Sequence, residues 1–237
     1  MFNYLANPTR FKKVASFILP FLEVICLVSL VYGLYLALLV SPADYQQGDA
    51  VRIMYVHVPS AWLALSSYLL LGICSFFFLI WRHPLAEIAA RSIAPIGTGF
   101  AALTLITGSF WGKPIWGVWW VWDGRLTSML VLFFFFIGYI SLSNAFDRSE
   151  RGARPAAILA LVGCINLPIV KFSVDWWHTL HQPASIMRSG GISIDTAMLW
   201  PLLTLFFSFQ IFFIIIVLTR MLTLLNELKY FKQISRS

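Results

Sequence analysis

An all-α integral membrane protein with six transmembrane helices is the fold class that three observations predict. Apolar and aromatic residues fill 59% of the 237 positions, and Asp, Glu, Lys and Arg only 11%, against roughly 45–50% and about 25% in water-soluble domains. The apolar residues gather into long runs, and a bilayer crossing takes about 20 of them, so the chain has room for about six crossings and no large extramembrane domain. The basic residues flank the runs. A water-soluble globule is excluded, because a soluble surface carries charge at roughly a quarter of its positions or more.

The first run, 17–40, follows Arg10, Lys12 and Lys13. It is too long for the apolar core of a signal peptide and no small-residue cleavage site is obvious after it, so it reads as a retained helix. The second, 58–81, opens just after His57 and closes before Arg82. The third, 93–110, and the fourth, 126–145, flank a tryptophan-rich segment at 111–125. The fifth, 156–170, is only 15 residues long and carries Asn166 and Pro168 ahead of Lys171, so it either snorkels the lysine or thins the bilayer. The sixth, 198–219, leads into a basic tail at 220–237. The whole chain is one six-helix domain, 1–237.

An even number of crossings puts both termini on one side. Twelve of the seventeen basic residues, including Arg148 and Arg236, fall on the terminal side of this layout, so the positive-inside rule makes both termini cytoplasmic, or matrix-facing in an organelle. A net charge of +7 would suggest a nucleic-acid partner in a soluble protein. Here it is a topology signal, and the expected environment is membrane lipid with no nucleic acid. Cys26, Cys74 and Cys164 lie within apolar runs at no metal-binding spacing and read as small packing residues.

Tryptophan and histidine break the symmetry between the two faces. Nine of ten tryptophans and three of four histidines, His57, His178 and His181, lie at or near the outer side, whereas an ordinary aromatic belt populates both interfaces. Five tryptophans fall within the twelve residues 111–122. If Pro114 starts a helix, Trp116, Trp119, Trp120 and Asp123 share one face and Trp122 points elsewhere. Three indoles on one face form a flat apolar platform suited to a large planar ligand; the plainer alternative is an interfacial helix anchored by tryptophan.

His57, in Val56-His57-Val58-Pro59, sits at the first turn of a membrane helix. His181 lies in Asp175-Trp-Trp-His178-Thr-Leu-His181-Gln-Pro183, in another outer connection. Two imidazoles from different connections with an aromatic platform between them fit a haem, whose iron takes one or two axial imidazoles. Zinc held by His57, His178 and His181 is the competing reading, but it would not call for the tryptophans. Haem propionates would need cations, and Arg52, Arg125, Lys171 and Arg188 are candidates, Arg125 being best placed beside the platform.

At these residues the sequence resembles the tryptophan-rich (WWD) haem-handling membrane proteins of system I cytochrome c maturation, and among them the haem exporter protein C (CcmC) family. The resemblance rests on 111–125, on Val56-His57-Val58-Pro59, on 176–182 and on the segment 42–48. It implies that His57 and His181 are the axial ligands of a non-covalent haem b and that Trp116, Trp119, Trp120, Asp123, Arg125 and Arg52 surround it. It further implies delivery of haem at the periplasmic face of a bacterial inner membrane to the haem chaperone CcmE, with the small membrane subunit CcmD and the ABC-transporter subunits CcmA and CcmB. A mitochondrial inner membrane is the other possible setting. His178 is outside the pattern. Such a role needs no enzyme, although the protein would assist covalent attachment to the chaperone by orienting haem and fixing its oxidation state.

Two other classes compete. A haem-containing redox subunit linked to quinone would place histidine pairs inside the bilayer, and these helices have none in their interiors. A transporter or assembly subunit with tryptophans as anchors would mark its path with intramembrane charge, for which Glu23 is the clear interior candidate.

Overall fold

The computed structural model describes residues 7–145, 149–183, 185–186 and 190–234; Arg148, Arg188, Ser189 and Arg236 lie outside the described residues. Helix α1 (Pro8–Tyr35) runs into a π-helical end, Leu36–Val40. A 3-10 turn, Asp49–Ile53, leads into α2 (Met54–Trp81), and α3 (Pro84–Trp116), α4 (Gly124–Asn144), α5 (Ser149–Cys164), α6 (Asn166–Trp176) and α7 (Thr196–Ile234) follow. Among the described residues, six helical spans are long and apolar enough to cross a membrane: Pro8–Val40, Asp49–Trp81, Leu85–Trp116, Gly124–Asn144, Arg151–Trp176 and Thr196–Lys229.

Local sequence sets the helix ends. Asn7 caps α1, its side-chain oxygen accepting the Thr9 N–H at 2.9 Å, with Pro8 in the first turn, where a missing N–H costs nothing. The fifth span is broken for a covalent reason. Pro168 has no N–H to give the carbonyl of Cys164, so α5 ends there, the Ile165 N–H turns to the Val162 carbonyl at 3.1 Å, and α6 restarts at Asn166. Asn166 is buried and its amide donates to the Ser128 carbonyl of α4 at 2.8 Å. The two halves make a 26-residue span, longer than the 156–170 that hydropathy suggests, and Lys171 lies exposed within it.

Helices α2 and α3 form the most extensive pair; α2 also meets α5 and α7, while α3 also meets α4 and α7. Their shared core contains Leu63, Tyr68, Leu71, Leu132 and Phe136, each fully buried. Buried Ser60 and Ser67 donate to the Val56 and Ala64 carbonyls of their own helix, at 2.7 and 3.1 Å, so their polarity is satisfied inside the bundle. Helix α1 leans on α7 at one edge. Its Phe17 and Val24, and Leu39 of the π-helical end, remain 70%, 64% and 76% exposed, an apolar surface suited to lipid.

This arrangement gathers the connections 41–53 and 117–123 and the described residues 177–183 at one end of the bundle. There the first turn of α2 lies against the last turns of α3, and the start of α4 meets α6.

Candidate functional site

His57 sits in the first turn of α2 against a stripe of α3. Thr104, Thr107, Gly108 and Trp111 recur at helical spacing, and the imidazole lies over them. His57 Nδ1 is 3.1 Å from the Thr107 hydroxyl, and the ring meets Trp111 edge-on with centroids 5.5 Å apart. The Thr107 hydroxyl donates its one proton to the Leu103 carbonyl at 2.6 Å, so toward His57 it can only accept. The proton therefore sits on Nδ1, and Nε2 keeps its lone pair. Gly108 makes room, since a Cβ there would come within 3.0 Å of His57 Cε1. Trp111 is fixed in turn by its N–H, which donates to the Gln47 side chain at 2.9 Å. Thus 42–48, a segment in which the sequence revealed no chemistry, braces the seat of His57.

His181 lies after α6, where among the described residues the chain is not helical. Its Nδ1 is 2.8 Å from the Gln182 carbonyl; a carbonyl only accepts, so this ring too carries its proton on Nδ1 and leaves Nε2 bare. Burial is the main influence holding the His181 pKa below the usual imidazole value, with the Arg125 charge adding to it. The ring is therefore neutral at pH 7, the state in which it can bind a metal. Its backbone N–H donates to the Thr179 hydroxyl at 3.0 Å, which itself donates to Asp123 Oδ2. The ring stands 6.5 Å from that of Trp116, centroid to centroid.

The tryptophan segment differs from the expected helix beginning at Pro114. Pro114 instead lies in the last turn of α3, which ends at Trp116. Gly117 adopts φ +77° and its N–H returns to the Lys113 carbonyl at 3.0 Å, a left-handed cap that glycine takes without strain. Residues 117–123 are irregular. Trp116, Trp119, Trp120 and Asp123 consequently do not share a helical face. Trp116 faces His181 from the helix end. Trp119 is half exposed, edge-on to Phe110 at 5.6 Å, with the Lys113 ammonium 5.9 Å from its centroid. Trp120 packs edge-on to Trp122 at 5.5 Å, and its buried indole N–H has no hydrogen-bond partner among the described residues.

The charged candidates have structural partners. Asp123 is the N-cap of α4, its Oδ1 accepting the Leu126 N–H at 2.8 Å. Arg125 donates through Nη1 to the Val170 and Lys171 carbonyls at 2.6 and 3.2 Å, tying α4 to α6. Arg52 donates to the Ala37 carbonyl at 2.7 Å and pairs with Asp49 at 3.0 Å, closing the end of α1. His178 is exposed and borders an open cleft of about 510 Å³ lined by Trp122, Asp123, Gly124, Thr127 and Trp177.

The donor set suits an iron porphyrin. Neutral imidazole is an axial ligand that haem iron takes, and the buried Trp120 N–H in the 117–123 connection is an unmet polar contact among the described residues. Among the described residues, no group of three or more His, Cys, Asp or Glu side chains could hold a bare metal ion. Sequence reasoning missed Thr107, Thr179 and Gln47. Gln47 and Thr179 lie in segments that carried the resemblance, and Thr107 lies four residues before Trp111 on the same helical face.

Comparison with known proteins shows the family. A family model described as "Heme exporter protein C" matches residues 1–235. The chain is 52% identical over 217 residues to "Heme exporter protein C" of Bradyrhizobium diazoefficiens, covering 92% of this chain and 82% of the relative. It is 43% identical over 223 residues to the protein of that name from Escherichia coli K12, covering 94% and 90%. A ccmC-like mitochondrial protein of cytochrome c biosynthesis from Marchantia polymorpha is 48% identical over 187 residues, covering 77% and 79%.

Proposed function

This chain belongs to the haem exporter protein C family, haem-handling membrane proteins of cytochrome c biogenesis, and we propose that it binds haem b non-covalently between His57 and His181 and passes it to a haem chaperone. The observation that carries the reading is the shared state of the two rings: each Nδ1–H is committed to an oxygen and each Nε2 is left as a donor. Haem itself supplies the iron and four of its ligands. The hydrogen bond on the far nitrogen orients each ring and strengthens it as a ligand.

The surrounding residues take roles that follow from their placement. Trp116, Trp119 and Trp120 line the macrocycle from the α3 end and the 117–123 connection. Arg125 meets one propionate with the part of its guanidinium not directed at α6, and Arg52 is the second cation on this side. The three cysteines lie within helices, in keeping with haem that is held and not covalently attached. His57 is fixed between two helices and His181 is on an irregular segment, so His181 is the ligand that lets go. The expected recipient is the chaperone CcmE, with CcmD, CcmA and CcmB as partners, at the periplasmic face of the inner membrane of a bacterium or the corresponding face in a mitochondrion. The basic residues at the opposite end of the bundle support cytoplasmic or matrix-side termini.

The test is the absorption spectrum of the purified chain. Wild type should carry a haem Soret band with the low-spin pattern of two imidazole ligands, and replacing both His57 and His181 with Ala should abolish it. An unchanged spectrum in the double variant would overturn the assignment.

A further inference from the structure

We infer that Asp123 and Thr179 form a clasp that keeps His181 in its ligating position, so that Asp123 is a positioning residue and not a contact to haem. The inference rests on the reading of His181 as an iron ligand. Three hydrogen bonds in series carry it. Asp123 Oδ1 is anchored to the first turn of α4 by the Leu126 N–H at 2.8 Å, Oδ2 accepts the Thr179 hydroxyl, and the Thr179 oxygen accepts the His181 N–H at 3.0 Å. A hydroxyl has one proton and two lone pairs. Giving the proton to a carboxylate, the strong kind of hydrogen bond, turns a lone pair toward the ligand's own backbone.

Farther along, Ile186 and Ile194 pack against the cluster around Val51, Tyr55 and Leu202, but next to His181 the chain has few other ties. His178, Leu180, Gln182 and Pro183 are exposed, and the bond from His181 Nδ1 to the Gln182 carbonyl moves with the loop. Asp123 is also a poor partner for haem itself. Its two oxygens are already engaged, and a propionate of the same charge would be repelled. The clasp therefore joins a rigid helix end to the ligand expected to yield, and opening it frees His181 without disturbing His57.

The experiment uses the full-length protein purified with its haem. Thr179→Val keeps the side-chain shape and removes the hydroxyl, Thr179→Ser keeps the hydroxyl, and Asp123→Asn keeps an equally good helix cap while replacing the accepting oxygen with a donor. Thr179→Val should retain the two-imidazole spectrum yet release haem to excess apomyoglobin about tenfold faster, the effect of losing one charge-assisted hydrogen bond. Free imidazole should displace His181 at correspondingly lower concentration. Thr179→Ser should behave as wild type, Asp123→Asn as Thr179→Val, and the double variant no worse than either single one, as for residues acting through one link. If Thr179→Val does not fold, Asp123→Asn carries the same comparison. Wild-type release from Thr179→Val or Asp123→Asn, or additive effects in the double variant, would overturn the clasp. Loss of the underlying reading looks different: the wild-type spectrum would then be indifferent to His57→Ala and His181→Ala.

Discussion

The two histidines are held by unlike parts of the molecule. His57 rises from the first turn of α2 and lies on a stripe of α3, where Thr107 orients it, Gly108 leaves it space and Trp111 covers its edge. Each of these contacts joins two long helices of the central pair. His181 sits in an irregular connection, and its ring bonds to the carbonyl of the next residue. Its described hydrogen-bond tie to the frame is Thr179 on Asp123, and its ring stands near Trp116 at the end of α3. A protein that must both hold a ligand and give it up needs one attachment that keeps its geometry and one that can be lost, and on the proposed reading a helix pair and a loop would divide these tasks.

The contrast can be tested from its largest expected effect downward. His57→Ala removes the rigid ligand and should eliminate the low-spin haem spectrum, whereas His181→Ala should keep haem bound more weakly on the remaining imidazole; equal loss in both would remove the asymmetry. Thr107→Val removes the hydroxyl that accepts the part-buried His57 Nδ1–H, at about 1 kcal/mol, so haem retention should fall about fivefold. The haem reduction potential should also rise in that variant, because the ligand becomes less basic. Thr107→Ser should restore both, and an unmoved potential would mean that Thr107 only packs.

Gly108→Ala is a finer probe. Its Cβ would press His57 Cε1 from 3.0 Å, so ligation should weaken although Ala favours the helix by about 1 kcal/mol; a thermal unfolding curve separates the two effects. Gln47→Ala leaves the Trp111 N–H without its acceptor and should cost about 1 kcal/mol, with only a minor change in the haem spectrum. The smallest expected effect is on pH dependence. Because the His181 pKa is depressed in the folded chain, the unfolded chain binds the proton more readily. This contribution to the stability of haem-free protein is complete above about pH 6.5, the ordinary imidazole value, and is lost as pH falls from there through the folded value. His181→Gln should remove that part of the acid destabilisation; an identical pH profile would contradict it.

Much of the architecture could be read from sequence because lipid imposes a simple rule, and runs such as 17–40 and 198–219 have no other solvent. The break in the fifth span was also available, since Pro168 denies a proton to the residue four before it, Cys164. The tryptophan segment failed for a local reason. Pro114 is compatible with the start of a helix and also with the last turn of one, and Gly117 three residues later decided the matter by ending α3. The two imidazoles stood out by composition and by their place in the outer connections. Their supporting hydroxyls did not, because Thr107 meets His57 across 50 positions and Thr179 meets Asp123 across 56. Distances in sequence of that kind are resolved only by packing, which is also why Asp123 reads as a ligand contact in the linear motif and as a helix cap in space.

The most direct test of unequal anchorage is to titrate His57→Ala and His181→Ala with free imidazole and follow the low-spin haem spectrum. Removing His181 leaves the helix-held ligand in place, so added imidazole should fill the loop-side position and restore the two-imidazole spectrum. Removing His57 leaves haem on the yielding ligand alone, and the same additions should fail to restore it. Equal rescue of both variants, or rescue of His57→Ala only, would contradict the account.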